Sequence, residues 1–118
     1  MSNKIYVCNA FSPSMLDRDV QRLEVGNPFH PVRVLRPIDD PKAWLDAWIG
    51  KADIVSAIGH ENTAALFSEA LGMSLGTNRV SIKLDDNAIA LIGQYVGPRL
   101  PEGTTELPEG ARIEWWVV

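Results

Sequence analysis

Cysteine is almost absent from this chain, since Cys8 is the only one among 118 residues. A lone cysteine can form no internal disulfide, and a cysteine-built metal site needs several thiolates close together. Disulfide-rich secreted domains and zinc-ribbon proteins are therefore excluded. Cys8 is expected to be a core residue, and the absence of disulfides is typical of the reducing cytoplasm.

Long hydrophobic runs and an excess of positive charge are also missing. No apolar stretch approaches the length that crosses a bilayer, and residues 1–4 lead directly into a strand-like segment, so neither a signal peptide nor a membrane anchor is expected. There are 11 Lys and Arg residues against 15 Asp and Glu, which gives a net charge of −4 and a pI near 5.0. This balance argues against broad electrostatic binding to long nucleic acid, so a bound polyanion would need a local cluster of arginines.

The hydrophobic pattern predicts one α/β domain over residues 1–118, with a mixed central sheet of about five strands flanked by helices. Segments 78–84 and 88–96 flank a turn and are expected to form a hairpin, whereas 20–25 fits a strand or a helix equally well. The strand candidates, each bounded by turn residues, are 5–8, 32–35, 53–58, 78–84, 88–96 and 113–118.

Two helices are predicted from capping residues and apolar periodicity. The first follows Asp40, a good N-cap, has Pro41 at its first position and closes at Gly50. The second covers residues 61–71 and stops at Gly72. The apolar face of the first helix is expected to contain Ala43, Trp44, Ala47, Trp48 and Ile49. Trp44 and Trp48 are expected in the core or at an interface, and Trp115 and Trp116 should face opposite sides of one strand.

His60 lies where the strand at 53–58 should end and the helix at 61–71 should begin. Unpaired backbone N–H groups and the helix dipole at such a point favour an anion, and phosphate is the obvious ligand. The dipole alone disfavours the imidazolium whereas a bound phosphate favours it, so His60 is suited to act as a general acid once substrate is present. The alternative is that His60 merely begins the helix and bonds to a nearby carbonyl, and spacing alone does not decide between the two. The other histidine, His30, is interpreted as a loop residue.

Arg99 and Glu102 lie three residues apart on a proline-braced loop. Arg99 is suited to stabilise negative charge on a phosphate, and Glu102 to orient an attacking hydroxyl or His60, or to act as a weak base. Taken on their own, both are more simply interpreted as an exposed loop salt bridge. No cluster of carboxylates or of Cys and His has metal-ligand spacing, so no metal and no cofactor are expected.

Four polar residues near strand ends are candidate binding groups. Asn9 and Ser12 follow the first strand and can donate to phosphate or ribose oxygens, although such residues usually bond to the local backbone. Arg79 begins a strand candidate, where it can reach a phosphate, stack on a base, or be solvated. Gln94 near the end of an apolar strand can contact a ligand or be a satisfied polar residue.

Four short motifs occur in order along the chain: NAFS at 9–12, SAIGHE at 56–61, NRVS at 78–81 and RLPEG at 99–103. Together they resemble the viral type III anti-CRISPR ring nuclease family, which includes proteins of archaeal viruses as well as bacterial and phage versions. Each motif alone is weak, whereas four in order on correctly placed elements are specific. The resemblance covers both ends and the centre of the chain.

The resemblance implies a homodimer that binds cyclic tetra-adenylate, the second messenger of type III CRISPR systems, and cleaves it without metal to linear di-adenylates. The expected location is the cytoplasm of a prokaryotic or infected host cell. A ribose 2′-hydroxyl would attack the adjacent phosphorus to give a 2′,3′-cyclic phosphate while His60 protonates the leaving 5′-oxygen, with Arg99 and Glu102 as the other catalytic residues. The substrate-binding residues that it implies are Asn9, Ser12, Gly59, Arg79 and Gln94.

Two other classes of function stay open at this point. A protein that holds a cyclic nucleotide without cutting it would keep the pocket arginines and would not depend on His60. A structural or DNA-associated viral protein is the third class, and the acidic charge disfavours it. Neither a membrane nor long nucleic acid is expected as a partner.

Overall fold

Five strands, two α-helices and one 3-10 turn make up the regular structure of the described residues, which are 3–16, 33–85 and 87–118 of a computed structural model. The strands form one sheet, so the predicted α/β class is confirmed. No helix within these ranges is long and apolar enough to cross a bilayer. In chain order the elements are β1 Lys4–Cys8, β2 Arg36–Ile38, α1 Pro41–Asp46, β3 Asp53–Ser56, α2 Glu61–Leu71, β4 Ala88–Val96 and β5 Arg112–Val117.

The sheet has the strand order β2-β5-β4-β1-β3 and is mixed, as predicted. β1 runs parallel to both β3 and β4, whereas β5 is antiparallel to β4 and to β2. Val7 lies opposite Ser56 of β3, and Cys8 lies opposite Ile92 of β4. Because parallel strands end at the same edge of a sheet, the loops that follow β1 and β3 start side by side, next to the second half of β4.

The central strands are covered on both faces, which explains their nearly continuous apolar sequences. On one face both helices pack against the sheet, and the ring centroids of Phe67 in α2 and Trp115 in β5 are 4.9 Å apart. On the other face Ile82 and Leu84, which precede β4, pack against the sheet. Trp115 belongs to the first cluster and Trp116 packs against the second, so the prediction that they face opposite sides is confirmed.

Helix α1 begins where it was predicted to begin and ends earlier. The Asp40 carboxylate accepts a hydrogen bond from the Ala43 N–H at 3.0 Å, which is the expected N-cap. The helix ends at Asp46 rather than at Gly50, because the N–H groups that follow bond three residues back, as Trp48 does to the Leu45 carbonyl at 2.9 Å.

The buried face of α1 also differs from the predicted face. Leu45 is fully buried, and the half-buried Trp44 and Trp48 pack against the same core. Ala43, Ala47 and Ile49 are exposed. Positions 41, 44, 45 and 48 form a stripe at helical spacing, and that stripe leaves 43 and 47 on the solvent side.

Helix α2 covers the predicted residues and ends at Gly72. The φ angle of Gly72 is +67°, in the left-handed region that terminates many helices and that strains residues with a Cβ atom. The buried side chains of α2 are Ala64, Leu66, Phe67 and Leu71.

The predicted hairpin of residues 78–84 with β4 is wrong. Residues 78–83 contain no strand, and Leu84 makes only an isolated bridge to Leu16. Ile82 and Leu84 are buried, so the alternation of apolar and polar residues correctly indicated that these two side chains are buried. The partner was misassigned because both edges of β4 already pair, with β1 and with β5.

The strand predicted over residues 32–35 is displaced along the chain. Residues 33–35 are not in a strand, and β2 forms immediately after them with Pro37 inside it. Proline is tolerated there because β2 is an edge strand whose neighbour in the sheet is β5. Strand β3 stops at Ser56 rather than at 58. The segment 20–25 and His30 lie outside the described residues.

Gly93 of β4 is expected to tolerate no side chain. A Cβ atom there would lie 2.6 Å from the Phe67 ring and 2.7 Å from the Trp115 ring. Gly93→Ala should lower the free energy of unfolding by about 1–3 kcal/mol, as overpacking a core does. Urea unfolding followed by tryptophan fluorescence measures the change. Gly76→Ala is the control, because no atom lies within 4 Å of the Cβ position at Gly76; an equal effect of both variants would contradict the prediction.

Cys8 should be unreactive in the folded protein. Its side chain is 2% exposed, and burial raises the pKa of its thiol to about 11, although a hydrogen bond with the backbone of Ala10 acts in the opposite direction. Because the thiolate is the reactive form, labelling by a disulfide reagent in mildly alkaline buffer should be about 100-fold slower than in denaturant. Equal labelling rates in buffer and in denaturant would show that the thiol is accessible.

Candidate active site

A cleft of about 490 Å³ opens after β3, at the N-terminus of α2. Its walls come from the loop between β3 and α2, from residues 77–79 and from the loop that carries Glu102. Gly59, His60, Arg79 and Glu102 line it together. An imidazole, a guanidinium and a carboxylate from three distant parts of the sequence therefore share one cleft.

His60 occupies the N-cap position of α2, with φ −130° and ψ 139°. Its backbone carbonyl accepts the first helical hydrogen bond, from the Ala64 N–H at 3.0 Å, whereas its imidazole makes no capping bond. The side chain is exposed. The backbone of His60 thus begins the helix, and its imidazole stays available to a ligand in the cleft.

The segment 76–79 is attached to the loop after β3 by hydrogen bonds rather than by strand pairing. The Asn78 backbone N–H donates to the Ile58 carbonyl at 2.8 Å, and its side-chain amide donates to the Ser56 carbonyl at 2.7 Å. The Ser56 hydroxyl donates in turn to the Gly76 carbonyl at 2.6 Å. These bonds hold the following residue, Arg79, beside the start of α2.

Arg79 reaches back across this connection to the residue that precedes His60. Its Nε donates to the Gly59 carbonyl at 3.2 Å, and its side chain lies along Gly59, where a Cβ atom would be 3.8 Å from Arg79 Cγ. The bond orients the guanidinium through Nε alone, so the two terminal nitrogens remain able to donate to an anion.

No ion pair between described residues neutralises the charges of the cleft. Within residues 3–16, 33–85 and 87–118 the salt bridges are Lys42–Asp46 and Arg112–Glu114, and neither lines the cleft. The carboxylates of Glu61 and Glu102 line the cleft and disfavour an anion, whereas the guanidinium of Arg79 and the amide groups at the N-terminus of α2 favour one beside Arg79. The geometry therefore suits a phosphate that sits next to a histidine able to transfer a proton.

Glu102 projects from a tight turn over residues 101–104. The Thr104 N–H donates to the Pro101 carbonyl at 3.2 Å, and Gly103 at the third position has φ +82°. Glycine at that position is typical of a type II turn. The Glu102 side chain is exposed.

Asn62, on the first turn of α2, joins this loop to the helix. Its side-chain amide donates to the Pro101 carbonyl at 3.0 Å, and its side-chain oxygen accepts from the Gly103 N–H at 3.1 Å. Sequence reasoning missed both Asn62 and Asn78 as site residues. Asn78 carried a signal, because it stands next to a candidate arginine in the NRVS motif. Asn62 carried none, because its partners are 39 and 41 residues away.

Asn9 and Gln94 lie outside this cleft. Both line a second cavity of about 380 Å³, together with Ile92 and Trp116 of the sheet face that is opposite the helices. Asn9 follows β1 and Gln94 belongs to β4, and both strands are parallel to β3 in direction. The two residues therefore lie at the same edge of the sheet as His60 but outside its cleft.

Ser12 and Arg99 are also placed apart from His60. Ser12 is the N-cap of a 3-10 turn at Pro13–Met15, where its hydroxyl accepts from the Ser14 N–H at 3.4 Å. This is the local backbone role that was the alternative interpretation for that residue. Arg99 is exposed on the loop before the 101–104 turn and does not line the cleft.

No group of three or more His, Cys, Asp or Glu side chains in the described part of the chain is arranged to hold a metal ion. The fold and the cleft define a small α/β protein with a polar, anion-suited site at the N-terminus of its longer helix. The family model described as STIV B116-like matches residues 5–110, so the chain belongs to the STIV B116-like family.

Among solved structures the chain is similar to B116 of Sulfolobus turreted icosahedral virus. The two share 26% sequence identity, the match covers 97% of each chain, and the TM-score is 0.71. The two matches confirm the family resemblance drawn from the four sequence motifs. No curated protein matches the chain.

Histidine at the N-cap of α2 should stabilise the folded protein less than a residue whose side chain caps the helix. Serine accepts a hydrogen bond from the helix as an N-cap, which the imidazole does not. His60→Ser should therefore raise the free energy of unfolding by about 0.5–1 kcal/mol relative to the wild type, whereas His60→Ala should leave it nearly unchanged. Urea unfolding of the wild type and the two variants measures the differences. Asp40→Ala, which removes a cap that does form, should lower stability; a His60→Ser variant no more stable than His60→Ala would refute the argument.

Proposed function

We propose that this protein is a ring nuclease that binds cyclic tetra-adenylate and cleaves it to linear di-adenylates. The observation that carries the proposal is the meeting of His60, Arg79 and Glu102 in one cleft at the start of α2. A small cyclic polyanion, which an arginine and a helix N-terminus can hold locally, suits an acidic protein better than long nucleic acid does. Membership of the STIV B116-like family supports the same function, through the resemblance of the four motifs to viral ring nucleases.

The proposed reaction uses a nucleophile within the ring. A ribose 2′-oxygen attacks the adjacent phosphorus, the bond from phosphorus to the 5′-oxygen breaks, and a 2′,3′-cyclic phosphate forms. His60 gives its proton to the departing 5′-oxygen, and the 2′-hydroxyl proton passes to the Glu102 carboxylate or to water. This step consumes no external water and calls for no metal or cofactor.

The arginines are assigned to binding and to charge stabilisation. Arg79, fixed through its Nε, binds the phosphate with its terminal nitrogens. Arg99 approaches the phosphate from the loop before the Glu102 turn once the ring is bound, and a well-placed donor of this kind stabilises a transition state by about 2–4 kcal/mol. A phosphate held at the N-terminus of α2 would lie beside His60, the proposed proton donor.

The active form is proposed to be a homodimer. A four-fold repeating ring across a two-fold axis offers equivalent phosphates to both subunits, so two half-sites combine into one site. Two His60 residues then face two opposed phosphates, and cleavage at both gives two linear di-adenylates. Asn9, Ser12 and Gln94, on the same sheet edge but outside the His60 cleft, are assigned to parts of the ring beyond the cleaved phosphate.

The biological consequence of this activity is loss of a second messenger. Removal of cyclic tetra-adenylate in the cytoplasm of a prokaryotic or infected host cell switches off the nucleases of type III CRISPR defence. A second candidate is a protein that holds the ring without cutting it. The position of Arg99 outside the cleft favours this candidate, because one of the three proposed catalytic groups is not yet in place.

Substitution of His60 should mainly affect cleavage of the ring, and substitution of Arg79 should mainly affect its binding. His60→Ala should slow cleavage of labelled cyclic tetra-adenylate in excess EDTA by about 10²–10⁴-fold, as loss of a general acid does, and leave ring affinity within a few-fold of wild type. Arg79→Ala should weaken ring binding by about 10-fold or more, as loss of a charged hydrogen bond does. Chromatography of the products and gel-shift titration measure the two effects.

Lys51→Ala is the matched control for loss of a cation. Lys51 is exposed and precedes β3, so it lies at the opposite edge of the sheet from the cleft. An intact ring that binds equally well to the wild type and to His60→Ala would favour the binding-only candidate. A ring that is neither bound nor cut by the wild type would refute both candidates for this ligand.

A further inference from the structure

The two hydrogen bonds of Asn62 enclose a single residue of the neighbouring loop. One bond is to the Pro101 carbonyl and the other to the Gly103 N–H, so they lie on either side of Glu102. A side-chain amide has one donor side and one acceptor side, and here both are used on the backbone of one turn. The contact fixes the position of the Glu102 backbone and therefore limits the positions that its carboxylate can reach.

Asn62 is itself held on a rigid element. It is the second residue of the 11-residue helix α2, two positions after His60, and its side chain is half-buried. The turn that it binds is closed internally by the Thr104 N–H to Pro101 bond. The imidazole of His60 and the carboxylate of Glu102 are therefore carried on two rigid pieces of backbone that one amide joins.

We infer that Asn62 is a positioning residue, which holds Glu102 in register with His60 by binding the peptide groups on both sides of it. The inference rests on the proposed function, since Glu102 acts there on the attacking hydroxyl. Asn62 also lines the cleft, so direct contact with the ring is the alternative role, and that role would lower ring affinity together with the cleavage rate. The effect of Asn62 on cleavage should pass through Glu102, and this distinguishes positioning from a general contribution to folding.

A double-mutant cycle tests this dependence. Asn62→Ala should lower the single-turnover cleavage rate of cyclic tetra-adenylate by about 10–100-fold, the scale of a small misplacement in an active site. In a Glu102→Ala background the same substitution should change the rate by less than about 3-fold, because the group that it positions is already gone. Ring affinity should change much less than the cleavage rate.

Thr63→Ala is the matched control. It removes a polar side chain from the same helical turn, and Thr63 does not line the cleft. Its cleavage rate should equal that of the wild type. Losses that multiply in the Asn62→Ala and Glu102→Ala double variant would overturn the inference, because they would show that the two residues act independently.

Hydrogen exchange gives a second readout that does not need the substrate. The Gly103 amide, which donates to Asn62 in the folded protein, should exchange faster in Asn62→Ala while the helical amide of Ala64 stays protected. Unchanged exchange at Gly103 would overturn the inference. A wild-type protein that does not cleave the ring would refute the proposed function, and the inference with it, even with the exchange result as expected. Cleavage by the wild type together with multiplying losses refutes the inference alone.

Discussion

Parallel pairing of β1 with β3 and β4 is the constraint on which the rest of the structure depends. β3 and β4 lie on either side of β1 and run parallel to it, so the chain must cross over from one to the other, and α2 makes this connection while packing against one face of the sheet. The N-terminus of α2 is thereby placed at the edge where β1 and β3 end. Asn9, His60 and Gln94 fall on this edge because they follow or lie near the ends of paired strands, whereas Arg79 is held there by hydrogen bonds.

Side-chain amides take over where regular pairing stops. Residues 76–79 and 101–104 belong to no strand, yet an asparagine holds each of them in place. Asn78 binds the first segment to β3 and the loop after it, and Asn62 binds the second segment to α2. An amide side chain offers the same donor and acceptor as a peptide group, so it can bind backbone as a strand neighbour would. Irregular segments gain a defined position in this way without burying more apolar surface.

Features set by neighbouring residues could be predicted from the sequence, and features set by distant residues could not. Helix α2 was placed correctly because its limits depend on local signals, above all on Gly72 in the left-handed region. The hairpin of 78–84 with β4 was wrong because its alternation indicates an apolar face and does not identify the partner. The end of α1 was wrong for a related reason, since Gly50 marks the last turn rather than the last helical residue.

The candidate site shows the same division between local and distant information. His60 could be found from its place between a strand and a helix. Arg79 and Glu102 could be found from short motifs, because a motif is recognised by its residue types alone and does not require knowledge of the fold. That these three would share a cleft, and that Arg99 would not, depends on how loops far apart in sequence fold against α2. Asn62 had no local signal because its role exists only in the contact with the loop.

The N-terminus of α2 carries the clearest conflict between stability and the proposed activity. An N-cap position favours serine, threonine, aspartate or asparagine, but here it is occupied by His60. The nearest asparagine, Asn62, lies two residues later and binds the neighbouring loop, so it does not cap the helix. A histidine at the cap leaves helix N–H groups to be satisfied by water or by a ligand. A helix end without a side-chain cap, beside an arginine that has no ion pair with another described residue, is suited to an anion, so binding of a phosphate there would recover part of the stability that the missing cap leaves out.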